Sequence, residues 1–80
     1  MKPFTLRAVN ADVHGVHTAD GAHVGNLKRV GALWKFKAIG YDNTGGIEPG
    51  GGPLTHLHNT QLAAPDEAEL NAKLSTFGLR

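Results

Sequence analysis

The run Ala32-Leu33-Trp34-Lys35-Phe36-Lys37-Ala38-Ile39-Gly40-Tyr41 limits the fold more than any other stretch of this chain. It contains the only Trp, the only Tyr and one of the three Phe. Trp34, Phe36 and Ala38 fall on one side of an extended backbone. Leu33, Lys35, Lys37, Ile39 and Tyr41 fall on the other. A period of two, rich in aromatic side chains, predicts a central β-strand over 32–41. One side reads as core, and the other as a mixture of apolar and basic groups.

Three shorter strands are predicted ahead of it, over 4–9, 13–18 and 22–28. Phe4, Leu6 and Ala8 share a side of the first, and Pro3 suits its beginning. Asp20-Gly21 between the second and third is a hairpin signal, and it would set His17 and His23 across from each other. Eleven of the 80 residues are Gly, and Gly21, Gly31, Gly45 and Gly46 stand where the chain must turn. Connections this short make an antiparallel meander the economical topology.

After Tyr41 the pattern changes. Asp42 to Gly46 reads as a turn, and Ile47-Glu48 has room for one more short strand. A Gly-rich loop is read over 45–53, with Gly50, Gly51 and Gly52 between two prolines, and within it Ile47 to Pro53 is expected to be the most mobile internal segment. Three successive glycines carry large backbone entropy and no anchoring side chain. From 54 to 61, Leu54, His56 and His58 alternate against Thr55, Leu57 and Asn59, as a short edge strand would. A helix is predicted over 65–77. Pro65 suits its first position, or Asp66 serves as N-cap with Glu69 completing a capping box. Leu70, Leu74 and Phe77 form its apolar stripe, which should dock on Trp34, Phe36 and Ala38. The expected fold is α+β: one domain over 1–80, a meander of three to four strands with a C-terminal helix packed on one face.

Composition bounds the function. The net charge of +1 leaves no global field to recruit nucleic acid or an acidic membrane, so any basic surface must be a local patch. Cys is absent, which excludes disulfides and thiolate metal sites. The first residues lack the apolar core of a signal peptide, and no apolar run approaches the ~18 residues of a membrane span. The expected location is cytoplasmic, with no membrane partner.

Three constellations bear on chemistry. His56 and His58, spaced H-x-H, would share one face of a strand and are weak metal candidates; His14 and His17, three apart, would face opposite ways. A divalent site needs three or four convergent ligands, so solvated histidines are the plainer reading and no metal is assigned. The loop Gly50 to Gly52 has backbone amides of the kind that cradle phosphate, but neither a Lys nor a helix N-terminus follows directly. Lys28, Arg29, Lys35 and Lys37 fall in one neighbourhood of a meander, beside Leu33, Ile39 and Tyr41. Sheets that bind nucleic acid combine basic and aromatic side chains in this way, although two lysines on a solvated face are also ordinary. Over about Gly21 to Phe77 the order of three strands and one helix resembles, in architecture alone, small sheet-reading DNA-binding domains of the integrase-arm kind. That resemblance carries over no residue.

No nucleophile is paired with a base, and no cofactor is implied, so the chain is not expected to be an enzyme. It reads as a small binding or interaction module. Its partner would be another protein or a second copy of itself, engaged through Leu33, Ile39 and Tyr41 around the lysines. The alternative is nucleic acid on the basic face, and a further alternative is a His-based metal binder.

Overall fold

A computed structural model describes residues 3–78, with side chains described as far as Leu74. Six strands and one helix follow in order: β1 Phe4–Asn10, β2 Val13–Thr18, β3 His23–Val30, β4 Leu33–Tyr41, β5 Ile47–Pro49, β6 Gln61–Leu62 and α1 Glu67–Gly78. β1 to β4 form an antiparallel meander, and β5 and β6 both pair with β4, at different points along its far edge. The sheet thus has five to six strands rather than three to four. The two additions are three and two residues long, too short to show a period in sequence.

Cross-strand partners share a face, so the register sorts the side chains. Leu6 pairs with Val16, Val16 with Gly25, and Gly25 with Ala38; Leu27 pairs with Phe36, and Trp34 with Leu62. This inner face forms one core with Leu57, Leu70 and Leu74, and Phe4, Leu6 and Leu54 pack at its margin. The helix therefore meets the Trp34 side of β4, as the period of two requires. Phe77 belongs to the predicted stripe but lies outside the described side chains. A bulge between Val16 and His17 lets Val24 join the core as well.

α1 begins at Glu67, with Asp66 as its cap: the Ala68 amide donates to Asp66 Oδ1 at 3.0 Å. The capping box is not closed. Glu69 accepts instead from the Ala63 amide at 2.9 Å. The helix is tied to both ends of the meander. On one side the Leu6 amide donates to Glu67 Oε2, and the Asn71 amide group both accepts from Phe4 N at 2.8 Å and donates to Phe4 O at 2.9 Å. On the other, Lys73 Nζ donates to Gln61 O at 2.7 Å. A flat sheet would hold β1 and β6 about 19 Å apart, against a helix diameter of about 10–12 Å. Contact at both ends means that α1 and its side chains reach across the inner face from β1 to β6.

Residues 54–60 are not an edge strand. They form a 3₁₀ turn at Thr55–Leu57 that buries Leu57. Leu57 is thereby turned into the core, which strand alternation would have aimed away from it. The segment still closes the β4 edge, by single hydrogen bonds. Phe36 N donates to Thr60 O, Asn59 N donates to Phe36 O, and Ala38 N donates to His58 Nδ1 at 3.1 Å. Asn59 adopts a positive φ of 73° to make this connection. His58→Leu is expected to cost about 1–3 kcal/mol, because it leaves the Ala38 amide unpaired beside the core. His58→Asn keeps an acceptor near the same place and should recover most of the loss in urea denaturation. Equal stability of the two variants would contradict the capping role.

The Gly-rich segment is pinned rather than free. Gly50 N donates to Ala38 O at 2.7 Å, and Thr55 Oγ1 donates to Gly50 O at 2.6 Å. A Cβ on Gly40 would stand 2.6 Å from Gly52 N. Gly40 and Gly52 are required by a close approach of two backbones, and at Gly52 the sequence reading took this for entropy.

Candidate functional site

The outer face of the sheet is not crossed by α1. Its rows follow from the register. Thr5, His17 and His23 form one; Arg7, Gly15, Asn26 and Lys37 the next; Val13, Lys28, Lys35 and Gln61 the third; Val30 and Leu33 the last. Lys28 and Lys35 are direct cross-strand partners. Like charges so placed destabilise a sheet by about 0.2–1 kcal/mol. Arg7 and Lys37 stand at the two ends of the neighbouring row.

No carboxylate occupies a strand position on this face. Of the seven acidic residues, Asp12, Asp20 and Asp42 lie in turns. Glu48 lies opposite Gly40, in the inner register, and Asp66, Glu67 and Glu69 lie at the start of α1. The turn carboxylates are occupied. Asp42 accepts from the Thr44 hydroxyl and amide and the Gly46 amide, and Asp20 from the Thr18 hydroxyl; both are held below the usual carboxylate range by these bonds. A net charge of +1 thus conceals partial segregation: Arg7, Lys28, Lys35 and Lys37 lie on the outer face, Arg29 and Lys73 do not, and the carboxylates lie in the turns, on β5 and around the start of the helix.

The predicted surface residues divide. Lys28, Lys35, Lys37, Leu33 and Tyr41 lie on the outer face, with Leu33 and Tyr41 42% and 51% exposed. Arg29 does not join them. It lies opposite Trp34, in the inner register, and pairs with Asp12 at 2.5 Å. Ile39 is no part of an open patch either: it is buried, paired with Pro49, with Gly52 packed against its carbonyl. Lys37 Nζ is held by Asn59 Oδ1.

The loop and histidine candidates resolve as structure. Gly50 and Gly51 spend their amides on Ala38 O and Glu48 O, so they cannot cradle a phosphate. His56 and His58 do not share a strand face, since the 3₁₀ turn carries His56, which is exposed, while His58 Nδ1 is engaged. Among the described residues, no group of three or more His, Cys, Asp or Glu is placed to hold a metal ion. His14 faces inward, its ring edge-on to Trp34 at 5.4 Å.

Two outer-face features escaped the sequence reading. Arg7 belongs to the basic rows, which only the β1–β2 register reveals. His17 and His23 do more than face each other: their rings stack at 4.7 Å, 16° from parallel. His23 Nδ1 lies 3.2 Å from the Tyr41 hydroxyl, and Nε2 lies 3.0 Å from Asn26 Oδ1. His17 Nδ1 is buried without a hydrogen-bond partner. Burial, and then the charges of Arg7 and His23, hold the His17 pKa below its ordinary value, against a weaker effect of the Gly15 backbone.

Among the described residues, no helix is long and apolar enough to cross a membrane. Comparison with protein-family models, with curated proteins and with solved structures gave no match to this chain.

Proposed function

We propose that this chain is a non-catalytic binding module whose outer sheet face takes a single strand of nucleic acid. The observation that carries the reading is the Lys28–Lys35 pair, flanked by Arg7 and Lys37 on a face without strand-borne carboxylates. The fold gains nothing from two ammonium groups set opposite each other. Local conflicts of this kind concentrate where a surface serves binding. A phosphate backbone neutralises all four cations, and exposed Tyr41 offers a ring for base stacking.

A two-fold contact between copies through this face would bring cation rows together, which argues against the simplest homodimer. One observation favours a protein partner as the second reading. Val30 and Leu33 at one end of the face, and Tyr41 and Ile47 at the other, are exposed apolar pairs.

Salt and charge reversal separate the two. Binding of a fluorescent oligothymidine should weaken with a log–log salt slope of about −3 for four phosphate contacts, about 50-fold between 50 and 200 mM. Lys35→Glu should weaken binding more than about tenfold. It should leave the fold as stable or slightly more so, because it relieves the pair with Lys28. A flat salt response, or wild-type affinity in Lys35→Glu, would sink the nucleic-acid reading and leave the protein partner.

A further inference from the structure

Of the two stacked histidines, His23 is bonded to Tyr41 and Asn26, whereas His17 has no such tie. Among the described residues His17 makes no ion pair, and its buried Nδ1 has no hydrogen-bond partner. The ring is held by its stack on His23 and by the gap above Gly15, where a Cβ would stand 3.0 Å from His17 Cε1 and 3.6 Å from His23 Nε2. The pair therefore leans over the row that carries Arg7 and Lys37.

The groups that face it from the strands are cationic or neutral. β1 brings Arg7, β3 brings His23 and Asn26, and β4 brings Tyr41 through its contact with His23, with Lys37 farther along the row. The nearest turn supplies Asp20, which is engaged by Thr18. α1 lies on the opposite face.

We propose that nucleic-acid binding at this face is proton-linked: phosphates docked beside Arg7 draw a proton onto the His17–His23 pair, so the strand is held more tightly as the solution becomes mildly acidic. The inference rests on the nucleic-acid reading above and adds its regulation. In the free protein, burial and the Arg7 charge oppose protonation of His17. A phosphate offsets the Arg7 charge and rewards a new cation beside it. Linkage then fixes the sign: a ligand that prefers the protonated form raises the pKa and binds better below it.

The test is oligothymidine affinity at pH 7.5 and 5.5 at constant salt, because thymine does not titrate there. Wild type should bind about threefold to tenfold more tightly at pH 5.5, the factor for one added charge about 6 Å from a phosphate in a solvent-screened site. His17→Gln should lose that gain, and His56→Gln, on the exposed 3₁₀ turn, should keep it. NMR titration of the wild-type His17 ring, free and saturated with oligothymidine, supplies a readout that needs no variant, and the pKa should rise on binding. Binding that ignores pH, or an unmoved His17 pKa, overturns this inference and leaves the nucleic-acid reading intact. No binding at either pH overturns both.

Discussion

Replacing Phe36 with Ala is expected to remove about 3–5 kcal/mol of stability, the usual cost of deleting a fully buried aromatic ring. Phe36 is wholly buried at the centre of β4. Its ring lies over Gly25, where a Cβ would overlap the ring edge. On that side of the ring β3 has no side chain to fill the space, although Leu27 stands directly opposite Phe36. A domain of 80 residues has a total stability of about 4–12 kcal/mol. The variant should lose about a quarter of its stability or more, and a chain at the low end will not fold. Urea denaturation followed by Trp34 fluorescence measures the change. Leu33→Ala, at the start of the same strand but facing out, should stay within about 0.5 kcal/mol. Similar losses in the two variants would mean that the inner and outer faces of β4 have been assigned the wrong way round.

Gly52→Ala should cost about 2–6 kcal/mol, by overlap and backbone strain rather than by a lost contact. Gly52 has a φ of +82°, and its Cβ would overlap the Ile39 carbonyl oxygen and stand 2.9 Å from Gly40 Cα. All of these are backbone atoms of β4, which cannot yield without breaking the pairing with β5. Strain at a left-handed position contributes about 1–3 kcal/mol and overpacking about 1–3 more. Gly45→Ala separates the two effects. Its φ is +84°, yet open space surrounds the Cβ position, so it should show the strain alone, about 1–2 kcal/mol. If thermal melting placed both variants at the same Tm, the close approach of Gly52 to β4 would be discounted.

The inner face was legible wherever a strand was long enough to alternate. Trp34, Phe36 and Ala38 declared it, and the spacing of Leu70 and Leu74 declared what covers it. The Asp20-Gly21 turn made the pairing of His17 with His23 legible too. What escaped depends on short segments and on exact register. β6 is two residues long, and the 3₁₀ turn mimics strand alternation while burying Leu57 instead of its neighbours. Arg29 and Lys28 are adjacent in sequence but fall in opposite registers, so one is bound to Asp12 while the other joins the site. Arg7 joins it from a strand that carries no other basic residue among those described. Ile39 looked available because the loop that packs beside it looked free. Glycines give the same letters whether they confer freedom or permit contact, and only the neighbouring backbone distinguishes the two.

The tie between Asn71 and Phe4 has a consequence for how this chain fails. The side-chain amide offers a donor and an acceptor to the rim of β1, as the backbone of a further strand would, and Glu67 fills the next vacant amide at Leu6. A natural sheet must keep such a rim from recruiting another molecule. Here the guard is α1 itself, which also seals the core through Leu70 and Leu74. A chain whose helix has let go exposes a template for strand addition and a sticky interior in the same event. Its partly opened form is therefore primed to polymerise, and the threshold for misassembly is set by how firmly one short helix is held.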